Sequence, residues 1–290
     1  MRAPGRFRVF RGDEGVAELF GASVVAFGKF DGVHRGHRAL LDRALASGRR
    51  LGLPVGAVTF ERHPHAYLRG GRLPPALTGL GDRLRLLRDA GVAFVVLLPS
   101  DATVLGLAAE DFARQVLRAR MRIRLVVVGE NFRFGRGGAG DAGTLRRLVS
   151  TTGLDAVELA MASVDGEVVS ATRIREHLAH GDVGRAGDLL GRPYDVVGRL
   201  SATTRPCLIR ISPMRALPAP GRYRASIGPV RPGDRRTTAA VVAVHPCGER
   251  QHHLEVELPE NGLLDGVAGR GVRVMFEGKA RGPGGGSRGG

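Results

Sequence analysis

A chain of 290 residues, 43% of them hydrophobic, is long enough for one large core and a second smaller one, so a folded protein of two domains is expected. It carries no apolar run of about 18 residues and no apolar N-terminal leader, which excludes a membrane helix and an export signal from the reading and gives a cytoplasmic expectation. The formal charge of +16 is almost entirely arginine, scattered along the expected helices and accompanied by no tryptophan for base stacking. Neither nucleic acid nor membrane is therefore expected as a partner, and composition leaves the oligomeric state unknown.

Short β-branched runs expected as strands lie at Ser23 to Phe27, Val55 to Phe60, Ala93 to Leu98, Leu125 to Val128 and Ala156 to Leu159. Between them amphipathic segments predict helices over Gly36 to Ser47, Gly81 to Ala90, Ala109 to Ala119 and Thr144 to Ser150. Two more follow at Ala171 to His180, with Ser170 as a polar cap, and at Val183 to Leu190. This alternation is the pattern of an α/β fold, a doubly wound parallel sheet whose ligand crevice opens at the carboxyl ends of the strands.

After Gly191 the character changes to short alternating runs broken by Pro and Gly: Cys207 to Ile211, Gly221 to Ile227, Ala239 to Val244, His252 to Leu258 and Val272 to Phe276. Such spacing predicts a small antiparallel β-barrel. The Gly- and Arg-rich stretch from Lys279 to Gly290 is expected to be a disordered tail. Cys207 and Cys247 are read as two reduced thiols, because one pair without a secretory signal is weak support for a disulfide.

Four stretches carry chemistry. In Gly28-Lys29-Phe30-Asp31-Gly32-Val33-His34-Arg35-Gly36-His37, which follows the first expected strand, two imidazoles can donate hydrogen bonds to one phosphoryl group, and Gly36 lets backbone approach a nucleotide. Asp31 in this turn either caps the helix, orients a neighbour or touches substrate. Val169-Ser170-Ala171-Thr172-Arg173-Ile174-Arg175 places hydroxyls and a guanidinium at a helix N-terminus, a setting for a polyphosphate. In Val128-Gly129-Glu130-Asn131-Phe132-Arg133-Phe134-Gly135 the amide could read a purine edge, while the phenylalanines either line a planar ligand or anchor the loop. Finally, Phe60-Glu61-Arg62-His63-Pro64 ends a strand, and His63 either contacts ligand or packs beside Pro64.

The order of GKFDGVHRGH, VTFERHP, LTGLGDRLRLLRDAGV, VVVGENFRFGRGGAGD and VSATRIREHLAHGDVGRAGDLLGRPYDVVGRL resembles the FMN adenylyltransferase (FAD synthetase) module of prokaryotic bifunctional riboflavin kinase/FAD synthetases, over about Ser23 to Leu200. The resemblance implies a nucleotidyltransferase Rossmann-like sheet over residues 1–192, a degenerate riboflavin kinase-like barrel over 193–278 and the tail over 279–290. It implies transfer of AMP from ATP to FMN, giving FAD and pyrophosphate, with Mg²⁺ accompanying ATP. In this reading His34, His37 and Arg173 are catalytic; Gly28, Lys29, Phe30, Asp31, Gly36, Asn131, Ser170 and Thr172 bind nucleotide; Phe60, His63 and Pro64 bind flavin. No protein-held metal site is expected.

Arg62 stands where the family usually has proline, Ser100 where phenylalanine is common, and Ala171 in place of a second serine. Leu217 to Tyr223 and Leu254-Glu255-Val256 resemble strands of the riboflavin kinase module. Between Val197 and Leu217, however, the Gly/Arg-rich phosphate loop and the Pro-Thr-Ala-Asn motif of that module are missing, which implies a barrel without kinase activity. Other readings are a bifunctional enzyme, a transferase with another phosphate acceptor, and a non-catalytic flavin- or nucleotide-binding regulator.

Overall fold

A computed structural model describes residues 7–61, 73–202, 207–230, 236–245, 252–257 and 271–280. These pack as two compact units. One holds the described residues up to Leu73 together with Leu80–Val168; the other holds Pro74–Gly79 and the described residues from Val169 onward.

The first unit is built on β1 (Arg8–Arg11), β2 (Ser23–Phe27), β3 (Val55–Phe60), β4 (Phe94–Leu98), β5 (Ile123–Gly129) and β6 (Asp155–Leu159). Their order in the sheet is β1-β4-β3-β2-β5-β6, with every pairing parallel. The chain leaves β2 toward β3 and β4 on one side and later crosses to β5 and β6 on the other. That reversal makes the gap between β2 and β5 the topological switch point, where a parallel sheet opens a crevice at its carboxyl edge.

Around the sheet lie α1 (Val16–Phe20), α2 (Arg35–Leu51), α3 (Leu80–Asp89), α4 (Ala102–Leu105), α5 (Ala109–Asp111) running into a π-helix (Phe112–Arg120), α6 (Ala142–Arg147) and α7 (Val149–Thr152). Alternation along the strands gives the sheet two apolar faces. Val25, Phe27, Val58 and Val96 point to the layer holding Phe112, Val116 and Leu145. Val24, Ala26, Ala57 and Val95 point to the layer holding Leu40, Leu41, Ala44 and Leu87. Gly56 in β3 is set by this packing, because a Cβ there would lie 2.2 Å from the ring of Phe94.

The second unit contains α8 (Ala171–Ala179), α9 (Val183–Leu190) and a closed antiparallel barrel. The barrel strands are β9 (Tyr194–Ala202), β10 (Cys207–Ile211), β11 (Gly221–Pro229), β12 (Thr238–Val244), β13 (His252–Glu257) and β14 (Gly271–Lys279), in the order β10-β13-β12-β11-β14-β9. Its interior is filled by side chains including Tyr194, Tyr223, Val242, Leu254 and Phe276, all essentially without exposure. The two tyrosine hydroxyls donate to Ala216 O at 2.6 Å and to Ala219 O at 2.7 Å. Closure leaves no strand edge unpaired, which suits a domain this small.

This unit begins at Val169, ahead of the boundary read at residue 192, because α8 and α9 pack with the barrel: Ala219 N–H donates to Leu178 O at 2.8 Å. It also takes in Pro74–Gly79 as a strap. Ala76 exchanges hydrogen bonds with Met214 O and the Ala216 N–H (2.7 and 3.0 Å), Arg175 Nε donates to Pro75 O (2.7 Å), and Leu77 is fully buried.

Several elements depart from the sequence expectation. β1 and β9 were not expected: β1 is four residues ending in arginine on both sides, and β9 breaks its alternation at Gly198. That glycine is required, since a Cβ would come within 2.5 Å of Ile209 and Ile211 on the adjacent strand β10. A two-stranded hairpin of β7 (Ser163–Val164) and β8 (Glu167–Val168) also precedes α8. The helix expected over Ala109 to Ala119 winds mostly as a π-helix, with Met121 N–H donating to Val116 O. Lys279 belongs to β14 instead of the expected tail, and residues 281–290 lie outside the described residues. Cys207 is a buried free thiol, and Cys247 lies outside the described residues. Among the described residues no helix is long and apolar enough to cross a membrane.

Gly56→Ala should destabilise the first unit by about 1–3 kcal/mol through overpacking against Phe94. Urea denaturation should show a lower midpoint with an unchanged slope, and adding Phe94→Leu should restore part of the loss.

Candidate functional site

The turn from β2 to α2 lies at the carboxyl edge of the sheet beside the switch point. Gly28 N–H donates to Val58 O at 3.1 Å, which carries the ladder one residue past the strand. The chain then enters left-handed backbone at Phe30 (φ 51°), Gly32 (φ 80°) and Val33 (φ 41°). For a β-branched valine this is a strained conformation costing about 1–3 kcal/mol. Burial holds it, because Phe30 and Val33 are 0% and 2% exposed. Lys29 is exposed, Asp31 half-buried, and Gly36 sits in the first turn of α2 between the two histidines.

His34 is the N-cap of α2. Its Nδ1 accepts a hydrogen bond from the backbone N–H of His37 at 3.4 Å, so Asp31 is not the cap. A neutral imidazole whose Nδ1 accepts carries its proton on Nε2. The rings of His34 and His37 stack with centroids 3.7 Å apart and planes 20° from parallel, and Phe30 lies 5.0 Å from His37. Burial above all, then the neighbouring His34 and Arg83, holds His37 well below the ordinary histidine range. Two cationic rings at this spacing would repel, and a buried Nδ1 on His37 without a hydrogen-bond partner adds to the disadvantage of charging it. His37 is therefore a neutral hydrogen-bonding ring at the positive end of a 17-residue helix.

Arg83 on α3 is a site residue that the sequence reading missed. Its guanidinium donates to Lys29 O (3.2 Å), Phe60 O (2.8 Å) and Glu61 O (3.2 Å), joining the ends of β2 and β3. Thr59, fully buried, donates through Oγ1 to the same Lys29 O at 3.0 Å. The sequence offered only an arginine on an amphipathic helix, since the groups it binds are backbone carbonyls that no side-chain pattern announces.

Phe60 lies 5.9 Å from Phe27, which Phe132 approaches to 5.0 Å from the other flank. The loop after β5 closes by paired hydrogen bonds between Phe134 and Gly140. Gly135 (φ +74°) is needed here, because a Cβ would lie 2.6 Å from the backbone of Ala109. Phe134 is buried and stacks on Phe132, so the two phenylalanines anchor the loop. Asn131 is exposed, directly preceding the half-buried Phe132. This half of the expected set thus shares one sheet edge: the His34/His37 turn follows β2, Phe60 ends β3, and Asn131 follows β5. His63 and Pro64 lie outside the described residues.

Ser170, Thr172 and Arg173 belong to the second unit. Ser170 Oγ accepts from Arg173 N–H at 3.2 Å as the N-cap of α8, while the exposed Arg173 pairs with Glu176 at 2.8 Å. Thr172 is exposed in the first turn of α8. Among the described residues no group of three His, Cys, Asp or Glu side chains could hold a metal ion.

A family model described as FAD synthetase matches residues 17–173, more than half of the chain. The chain belongs to the FAD synthetase family. It is 36% identical to the bifunctional riboflavin kinase/FMN adenylyltransferase of Escherichia coli K12 over 177 residues, which is 61% of this chain and 56% of that protein. The matched region thus spans little more than half the length of that relative. With a protein of the same description from Pseudomonas fluorescens the identity is 30% over 271 residues, covering 89% of this chain and 84% of the relative. A solved structure titled as a macrolide-efflux protein from Streptococcus pneumoniae superposes with a TM-score of 0.79, covering 95% of this chain and 90% of that one; at 22% identity it shows the fold alone. The FAD synthetase match begins in α1 and ends at Arg173, so it includes both histidines, Asn131, Arg83, Ser170 and Thr172.

The depressed His37 fixes a pH dependence. The unfolded chain binds a proton at this ring near the ordinary value of about 6.5, and the folded chain only at lower pH. Stability from this group is therefore fully present above about pH 6.5 and declines as pH falls through the window below it. In urea titrations His37→Gln should lose less stability than the unaltered protein between neutral and mildly acidic pH; parallel curves would contradict the burial effect.

Proposed function

We propose that this chain transfers AMP from ATP to FMN, giving FAD and pyrophosphate. A phosphate oxygen of FMN attacks the α-phosphorus of ATP, the bond to the bridging oxygen of the β-phosphate breaks, and pyrophosphate departs. FMN's phosphate is anionic near neutral pH, so no general base is required. The observation that carries this reading is the stacked imidazole pair at the N-terminus of α2, where His34 caps the helix through Nδ1 beside the switch point of the sheet. Hydrogen bonds aimed at developing charge on a transferring phosphoryl group act at the transition state and require no covalent participation. The family match and the relatives described as FMN adenylyltransferases support the same reaction.

In this proposal His34, His37 and Arg173 are catalytic, with Arg173 exchanging Glu176 for a phosphate oxygen. Gly28, Lys29, Phe30, Asp31, Gly36, Asn131, Ser170 and Thr172 bind nucleotide, with the N-terminus of α8 favouring anionic groups. Phe60, His63 and Pro64 serve the flavin, for which Phe60, Phe27 and Phe132 offer an aromatic margin. Mg²⁺ accompanying ATP would supply positive charge to the phosphates, and no side chain of this chain is assigned to hold it. Residues 1–192 carry this activity.

The barrel of 193–278 is proposed to lack riboflavin kinase activity. The stretch from Gly198 to Ile209 has no Gly/Arg-rich phosphate loop and no Thr/Asn pair for magnesium. Glu255, the position resembling that module's base, is held by His245 at 2.8 Å.

Incubating the protein with Mg·ATP and either FMN or riboflavin, then separating the flavins, tests both parts. FAD from FMN and no FMN from riboflavin is expected. No FAD would overturn the transferase reading, and FMN from riboflavin would overturn the loss of kinase activity. Replacing His34 and His37 together with alanine should lower kcat by about 10²-fold or more with little change in FMN affinity.

A further inference from the structure

We propose that Arg83 is a positioning residue for nucleotidyl transfer, holding the His34/His37 turn and the end of β3 in one fixed geometry. The inference rests on the transfer reading above and adds to it a residue outside the histidine, asparagine and phosphate motifs.

The guanidinium is a planar fork with donors in fixed directions. One arm, Nη1, reaches Lys29 O; the other, Nη2, reaches both Phe60 O and Glu61 O. These carbonyls belong to two neighbouring strands at the point where their ladder ends, so regular sheet pairing no longer fixes them. Lys29 O also accepts from the buried Thr59 hydroxyl. The next residue, Phe30, is the first left-handed residue of the turn, and its ring lies against His37. Strained backbone persists only where its surroundings over-determine it, and Arg83 with Thr59 supplies that constraint at the entry to the turn. A path of direct contacts thus runs from α3 through the Lys29 carbonyl and Phe30 to the His37 ring.

The charge of Arg83 has a separate effect. Charged and titratable groups around His37 are His34 from the cap, Arg83 from α3, and Lys29 and Asp31 within the turn. Arg83 and His34 both disfavour a proton on His37, so the guanidinium helps keep that ring neutral in the free protein.

Arg83→Gln removes the fork and its charge. Steady-state kinetics should show kcat for FAD formation falling by about tenfold or more, with KM for ATP and FMN changing less than about threefold. NMR titration should show the His37 ring protonating at higher pH than in the unaltered protein. Arg83→Lys restores the charge but not the fork, so it should return the His37 titration while recovering only part of kcat. Arg85→Gln is the control for damage to α3, because Arg85 pairs with Asp82 and Asp89 on its own helix.

An Arg83→Gln enzyme within twofold of the unaltered kcat, or indistinguishable from the Arg85→Gln control, overturns the proposal. If the glutamine variant does not fold, Arg83→Lys against Arg85→Gln makes the same comparison. Should the unaltered protein form no FAD, the transfer reading fails on its own, and amide hydrogen exchange in the turn still decides Arg83: faster exchange at Val33 in Arg83→Gln than in Arg85→Gln supports the hold, and equal exchange rejects it.

Discussion

The hydrogen bond from the His37 amide to Nδ1 of His34 ties three levels of the molecule together. At the level of local structure it caps α2, satisfying a backbone donor that a helix start would otherwise leave open. At the level of packing it holds the His34 ring in stacking range of His37, over the buried Phe30. At the level of chemistry it settles which nitrogen of His34 carries the proton. An aspartate cap would stabilise the helix equally well, but its carboxylate would repel a phosphate.

The surrounding unit arranges for that cap to sit at a useful place. β2 is flanked by β3 and β5, so the loops after all three strands meet one sheet edge. Left-handed Phe30 and Val33 turn the chain sharply enough for α2 to begin there, and their burial offsets the strain. Phe27 then acts as a common floor for Phe60 and Phe132, linking the three loop ends through ring contacts.

Most of this was legible in the sequence wherever it rests on periodicity or on side-chain identity. The five longer strands of the parallel sheet and five of the six barrel strands stand out as β-branched runs, and the two histidines declare themselves by spacing. β9 was hidden because Gly198 interrupts its alternation, for a reason that lies in Ile209 and Ile211 on the neighbouring strand β10. Arg83 was hidden because it acts on carbonyl oxygens, which every residue carries. The cap role of His34 was hidden because histidine is an uncommon N-cap and Asp31 stood nearby as a more usual candidate. In each case the deciding partner was backbone, or distant in sequence.

The strap at Pro74–Gly79 has a consequence for how the polypeptide can be divided. The chain leaves the sheet-containing unit before Pro74, returns at Leu80, and leaves again after Val168, so three covalent crossings join the two bodies. Cutting once between them cannot release two intact halves. A fragment ending near residue 168 would carry Ala76 without its backbone partners, and an isolated barrel would lack the six-residue strap that hydrogen-bonds Met214 and Ala216. Along the polypeptide the two units alternate instead of following one another.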